Sequence, residues 1–542
     1  MKRQRWYLAA IFLVMVFMLG ACGGTTAEEE PESVEATQAA TEIVAETEQT
    51  EETDVEEVEA ADSGPSGTLR YGNNILLTSY NPWFEQAPAF FAAYQIMFEG
   101  LLIQDTDGQI VPLLATSWQY NDDQTELTFT LREGVVFHDG TPFNAEVAAA
   151  NLNYIKNDLE FPPAANQLNF LEEIEIVDDY TIILHLSQPD MALVPNLARN
   201  VGVMISPDYF ETARQEPIGT GPWRLITEES TVDGTLVFEA FEDYWDPSVQ
   251  GVQRIEYVQI PDNNARLNAL ISGELDIAAV QSSQAQSVED AGLAVAYGLS
   301  TNFGIQITDL YGEVIPQLAD KEFRCGISQA IDREAVAEVL FNGLAHAGVQ
   351  REIEGQYGYL ENPPDVGFNP EAAREKLAGN EGLEITTGAW GPFNFIAQAA
   401  AGGLTEFGGI TLNIEAIQSS QMWPSLAQNV YPIVVVPYSE AHLITAVRNR
   451  AVAGAFNPSG YIPEGVEELL AQAESLPEAE AEPLLEEIKS IMIEECIWLP
   501  VVTGIGAIGY NQDVVPLVEH RALYPTAIQI RGLRMTTDPS SD

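Results

Sequence analysis

"LTFTLREGVVFHDGTPFNAEVAAANL" occupies residues 127–152 and changes its period halfway along. Apolar Leu127, Phe129 and Leu131 alternate with Thr128 and Thr130, the pattern of a strand with one buried face. Beyond Pro142 the apolar residues recur at helical spacing, and Asn144 is placed to cap the first turn with its side-chain oxygen. Asp139-Gly140-Thr141-Pro142 between them has the composition of a turn. Strand, turn and helix inside one stretch predict a mixed α/β chain.

The flanks repeat that alternation. "EIEIVDDYTIILHL" (173–186) reads as a hairpin turning at Asp178-Asp179. "GTLRYG" (67–72) reads as a first strand and "APAFFAAYQIMFEGLL" (87–102) as a helix. Two β-rich runs fill 234–260, followed by a helix from Asn263 to Ser272 and the short strand "LDIAAV". Farther on come one long helix over "CGISQAIDREAVAEVLFNG" (325–343), strands near Ile410–Ile414 and at "YPIVVVPY" (431–438), and an acidic helix from Glu478 to Glu494. The spacing has no fixed period, so a solenoid is excluded.

At the start, Lys2, Arg3 and Arg5 precede an apolar run from Trp6 to Leu19, which reads as a secretory signal. Leu19-Gly20-Ala21-Cys22 is similar to the lipobox of bacterial lipoproteins, which implies a lipid on Cys22. Glu28 to Asp62 contains fifteen acidic residues and no basic ones. Such a stretch buries too little apolar surface to fold and self-repulsion extends it, so it predicts a tether over 23–66.

Lys and Arg number 23 against 82 Asp and Glu, a net charge of −59. That balance excludes a nucleic-acid footprint. It also makes any pair of carboxylates uninformative as a glycosidase signature. His138, His185, His346, His442 and His520 show no metal-ligand spacing, and neither a zincin motif nor a nucleophile elbow occurs. "GIGAIG" (504–509) matches a dinucleotide fingerprint only on paper, because no helix follows to hold a pyrophosphate; its glycines predict a late strand or bend. "DTDGQI" (105–110) predicts a tight turn, since it lacks the remaining ligands of a calcium loop. Cys325 and Cys496 fall in apolar, helical stretches and predict two buried thiols. No enzyme, cofactor or metal is expected.

The opening stretch, together with "FEGLLIQDTDGQIVPLLATSWQYNDD" (98–123), "PIGTGPWRL" (217–225), "FEDYWD" (241–246), "ARLNALISGELDIA" (265–278), "FRCGISQAIDREAVAEVLFNGLA" (323–345), "FNPEAAREKLA" (368–378) and "IEECIWLPVV" (493–502), resembles the family 5 extracellular solute-binding proteins of ABC importers. The resemblance covers about 68–510. It implies a bilobal, hinge-connected, periplasmic-binding-protein type II-like fold with an extra subdomain in the first lobe. Lobe I then takes 67–102, 217–312 and 503–542; the inserted subdomain takes 103–216; lobe II takes 313–502. Residues 1–22 are the lipoprotein signal. Trp118, Trp223, Trp245 and Trp498 lie inside these motifs and read as core. Gly219 and Gly221 read as positions free to take φ > 0, with Thr220 between them forming a hinge wall.

The family's layout draws the cleft from "SYNPWFEQ" (79–86), Thr220, "TNFGIQ" (301–306) and the loop after "IVVVPY". The implied ligand contacts are Tyr80, Asn81, Trp83, Phe84, Thr220, Phe303, Tyr438, Ser439, Glu440 and His442; Trp83 and Phe303 read equally as core. Peptide-binding members carry a tryptophan and an aspartate after that last strand. Here Tyr438 and Glu440 stand there instead, and Glu440 reads either as the anchor of a ligand amine or as a solvated helix-start glutamate.

The resemblance thus implies a monomeric receptor for peptides or peptide-like solutes, lipid-anchored on the outer side of the membrane, which serves an ABC permease and its ATPase. An exported hydrolase and a surface sensing or adhesion protein are the competing expectations.

Overall fold

The computed structural model describes residues 64–536 except 75, 78, 85–89, 106–108, 160–161, 232–233, 355–357, 391–393, 418, 439–442, 452, 454–456, 475, 477 and 519–527. The signal, Cys22, the whole acidic stretch from Glu28 to Asp62, Ser439, Glu440 and His442 therefore lie outside the described residues, as does the tip of the "DTDGQI" turn.

The first half contains strands β1 (Thr68–Asn73), β2 (Leu102–Gln104), β3 (Ile110–Pro112), β4 (Ala115–Tyr120), β5 (Glu126–Leu131), β6 (Leu171–Asp178), β7 (Thr181–Leu186), β8 (Trp223–Leu225), β9 (Thr235–Ala240), β10 (Arg254–Gln259) and β11 (Ile277–Val280). Its main helices are α1 (Phe91–Met97), α2 (Ala145–Asn153) and α3 (Asn263–Ile271). Asn144 caps α2 as expected, its Oδ1 accepting from the Val147 N–H at 3.0 Å. The second half holds β12 (Ala294–Ile307), β13 (Ala345–Ala347), β14 (Glu384–Trp390), β15 (Thr411–Ile417), β16 (Ile433–Tyr438) and β17 (Trp498–Tyr510). Its main helices are α4 (Lys321–Gln329), α5 (Arg333–Phe341), α6 (Asn394–Gly408), α7 (Ser419–Ala427), α8 (Leu443–Ala451), α9 (Val466–Ala473) and α10 (Glu478–Glu494).

One eleven-stranded sheet runs β15-β14-β16-β12-β17-β11-β1-β10-β9-β8, with β13 on β17; β4-β5-β7-β6 form a separate four-stranded sheet. Two large apolar cores flank this order. Leu69, Phe129, Trp223 and Ile508 belong to the first; Ile305, Phe323, Ile433 and Leu499 belong to the second. β12 and β17 pass from one to the other. The Ala294 end of β12 pairs with Tyr510, its Gln306 end pairs with Trp498, and the ladder slips between Leu299 and Asn302 and again between Phe303 and Gly304. Slipped register bends a strand locally.

Three expectations change. The long helix over 325–343 is two helices, because Asp332 turns extended and caps α5, its Oδ1 accepting from the Ala335 N–H at 2.9 Å. Cys325 and Cys496 are not free thiols: they form a disulfide with Cα atoms 5.2 Å apart. Sequence period placed both in helices, whereas Cys496 sits past the end of α10 at φ 51°, which aims its side chain back at α4. Gly219 and Gly221 are not at positive φ among the described glycines that are. They are glycines because a Cβ would lie 2.3 Å from Met97 O and 2.4 Å from Met97 C, respectively, so the chain lies flat against the end of α1. "GIGAIG" is part of β17.

Candidate functional site

β14 and β16 lie side by side and parallel. From β14 the chain returns through α6 to β15 on the outer side; from β15 it crosses through α7 to β16 on the inner side. The connections thus diverge between β14 and β16, and a crevice opens at the carboxyl ends of two such strands. Phe303 of β12 stands there, opposite Pro437 of β16, while Asn302 is opposite Tyr438. Phe341 ends α5 and Phe395 lies in the first turn of α6. The three rings form a triangle with centroids 6.1, 5.9 and 5.6 Å apart. All three are half-buried against the second core. Room for them comes from Gly504: a Cβ there would lie 3.2 Å from Phe303 Cε2 and 3.7 Å from Phe341 Cε1.

Behind the triangle, Asn302 is 1% exposed, and its Nδ2 donates to Thr503 Oγ1 at 3.0 Å and to Val502 O at 3.3 Å, bonding β12 to β17 beside the slip. Its Oδ1 is buried and accepts no hydrogen bond. Thr503 Oγ1 in turn donates to Arg351 O at 2.8 Å. The place where the strands cross between the cores is therefore also the floor beneath the rings.

The other expected contacts belong to the first core. β1 lies parallel between β10 and β11, and α3 carries the chain over it, so a second divergence lies at the carboxyl end of β1. The segment leaving that end is fixed by Leu77 N–H donating to Gln259 Oε1 at 2.6 Å and by Tyr80 N–H donating to Arg214 O at 3.1 Å. Asn81 is buried, its Oδ1 accepting from the Trp83 N–H in a local turn. Trp83 is wholly buried, donates from Nε1 to Val203 O at 3.1 Å, and packs on the rings of Tyr154 and Phe210. Tyr80 is 8% exposed, and burial raises its hydroxyl above the ordinary value. Phe84 is half-buried with the Arg214 guanidinium 4.0 Å over its ring. Thr220 is wholly buried between α1 and β8, its Oγ1 accepting and donating no hydrogen bond.

Beside Thr220, the Nε2 of His138 is 2.9 Å from Gly221 O, while Nδ1 is buried and unpartnered. Burial pulls this imidazole down to about 4, so it is neutral at pH 7 and Nε2–H is the donor. That makes it an anchor of the Gly-Thr-Gly run. Phe341 and Phe395 were not singled out in the sequence; the run Phe393-Asn394-Phe395 that follows Gly391-Pro392 was the available signal for the second. Among the described residues no group of acidic, His or Cys side chains is arranged to hold a metal.

Residues 109–442 match the model of the bacterial extracellular solute-binding proteins, family 5 (middle region), and the chain belongs to that family. Glutathione-binding protein GsiB of Pectobacterium atrosepticum is 27% identical over 309 residues, 55% of this chain and 58% of its own length. GsiB of Salmonella typhi is 29% identical over 312 residues, 55% and 59% respectively. The chain thus spans under two thirds of the length of these relatives. In three dimensions, the periplasmic binding protein AgaA of Agrobacterium tumefaciens R10, solved with agropinic acid, superposes with a TM-score of 0.77 at 22% identity, covering 87% of this chain and 99% of that one. DppA of Helicobacter pylori with the peptide STSA gives 0.73 at 19%, covering 87% and 98%. The chain has the bilobal α/β fold of the periplasmic binding proteins, and its family consists of binding proteins.

Proposed function

We propose that this protein is the extracytoplasmic receptor of an ABC importer, a monomer that captures peptides or peptide-like small solutes between its two lobes and hands them to a membrane permease powered by its ATPase. The observation that carries this reading is the aromatic triangle Phe303–Phe341–Phe395 at the β14/β16 divergence, directly over the strands that join the cores. Half-buried rings offer area to varied side chains, and bending at the β12/β17 slip closes the opposite lobe over them. Tyr80 and Phe84 would face them from lobe I (67–102, 217–312 and 503–542) across the cleft from lobe II (313–502), with 103–216 as the insertion. Ser439, Glu440 and His442 follow the carboxyl end of β16, where Glu440 would pair with a ligand amine. The relatives named for glutathione and the neighbour solved with a peptide support a peptide-like solute. The disulfide supports export, because such bonds persist in oxidising compartments; Cys22 would carry the lipid and 23–66 the tether.

Native mass spectrometry of the purified chain tests this by revealing retained solute, followed by thermal shifts with glutathione and with di- to tetrapeptides. A true solute at 100 times its Kd stabilises by about 2.7 kcal/mol. Phe395→Ala is expected to weaken binding about tenfold and leave stability within ~1 kcal/mol of the parent. No shift across the panel, or solute recovered cleaved, would overturn the reading.

A further inference from the structure

The insertion meets the second half in another place, at a small apolar cluster far along the sequence from the slipped strands. The segment after β7 carries Asp190, Met191 and Ala192, and it does not stay within the insertion. Ala192 is 2% exposed and sits in a small apolar core made by Leu443, Ile444, Val447, Leu470 and Leu485 of α8, α9 and α10, with Met191 packed on its edge. Asp190, 4% exposed, accepts from Arg448 Nη1 at 2.6 Å. Arg448 also donates from Nε and Nη2 to Glu474 Oε1 at 2.9 and 2.6 Å, so its fork spans two carboxylates, and its guanidinium lies 5.5 Å over the Phe170 ring. The Asp190 end is built as firmly: Oδ1 also accepts from the Ala192 N–H at 3.0 Å, and Tyr120 of β4 donates its hydroxyl to Asp190 O at 3.1 Å.

We propose that Asp190–Arg448 is a latch that holds the two lobes closed when no solute is present. This rests on the two-lobed trap proposed above. Charges this far from water are screened little, and an apolar plug flanked by an oriented ion pair gives a joint with one preferred geometry. Glu474 belongs to the same side as Arg448 and orients it without spanning the gap. Opening then requires Ala192 to leave its apolar seat and Asp190 and Arg448 to be rehydrated together, so the joint has two states, not a continuum. A solute has to compete with the latch to get in, and the latch re-forms over it once inside.

The test is a distance measured between the two sides without solute. Spin labels on Glu173→Cys in β6 and Glu468→Cys in α9, both at exposed positions, report it by pulsed electron resonance in the full chain, with the native disulfide intact. A single short distance is expected for the parent, and a longer mean with a broader distribution for Arg448→Met. Asp190→Asn is expected to shift it in the same direction; because an amide oxygen still accepts from the Ala192 N–H, this variant carries the test if Arg448→Met does not fold. Glu474→Gln is expected to change it much less. Distances unchanged in both Arg448→Met and Asp190→Asn would overturn the latch. Failure of every solute to bind would instead overturn the receptor reading and leave the distances to decide the latch.

Discussion

The two large cores are built from different materials. In the first, the bulkiest wholly buried apolar side chains are aromatic, Trp83, Trp223, Tyr71, Tyr94, Tyr257, Phe129, Phe137 and Phe143, and beside them Arg266 of α3 is buried with its donors on Ile260 O and Asn263 Oδ1. The second uses smaller aliphatics and, around them, buried cations wrapped in oxygen. Arg333 is 4% exposed and gives its donors to Pro500 O, Ser328 O, Ile331 O and Ser328 Oγ. Arg324, 1% exposed, reaches Leu318 O, Ala319 O and Glu495. Lys489 Nζ is surrounded by Glu352 Oε2, Gln350 Oε1 at 2.8 Å and Gly358 O at 2.7 Å. Burial pushes the Glu352 carboxyl up, but Arg351 and Lys489 outweigh this and hold it below the ordinary glutamate value. Burial also pulls the Lys489 ammonium down against that charge, and with three acceptors around Nζ we take the pair as ionised. The second core also carries the disulfide.

The contrast teaches that aromatic volume dominates one half while the other adds a covalent cross-link and several buried cations, so different perturbations should find them. The largest effect is expected from the disulfide. Its cysteines are 171 residues apart, and the chain-entropy argument gives up to about 5 kcal/mol for closing such a loop. Cys325→Ser with Cys496→Ser should lower the second core's stability toward that amount. Hydrogen exchange should then show loss of protection over 305–502 with the first core largely spared. Loss shared equally by both cores would break the comparison.

Next comes Trp223→Ala, which empties a wholly buried site and removes the Nε1–H bond to Val252 O. About 4 kcal/mol is expected, on the scale for large-to-alanine changes, measured by denaturant unfolding, and exchange should rise first around β8 and β10. The smallest effect is on pH dependence. His138 is held neutral, pulled down from 6.5 to about 4 by burial, so the unfolded chain takes up a proton that the folded chain refuses. The stability tied to it is complete above pH 6.5 and is lost as pH falls toward 4. Because His138 as a whole residue is only partly buried, the expected loss is discounted to about 2 kcal/mol. His138→Gln should flatten the slope of unfolding free energy between those pH values; an unchanged slope would place the proton elsewhere.

Much of the first core was readable because its elements are local. The strand-turn-helix of 127–152, the Asn144 cap and the β6–β7 hairpin depend on neighbours a few residues away. The break between α4 and α5 was missed because Ile327, Ile331 and Ala335 keep a helical apolar spacing across it while the backbone of Asp332 turns extended to cap the next helix. The site was legible only in part. Phe303 was visible as an aromatic in an expected strand, but Phe341 and Phe395 reach it from two helices, and Trp83 was turned inward by contacts with residues 71 and 127 positions away.

The sequence by itself determined the mixed α/β class, the family and the acidic charge balance, because period, turn chemistry and charge are carried by residue type and near neighbours. Only the tertiary structure decided that Cys325 meets Cys496, that two glycines are small because of Met97 and not because of φ, and that Asp190 reaches across to Arg448. Each of these depends on distance in space between segments far apart along the chain, which no local pattern encodes.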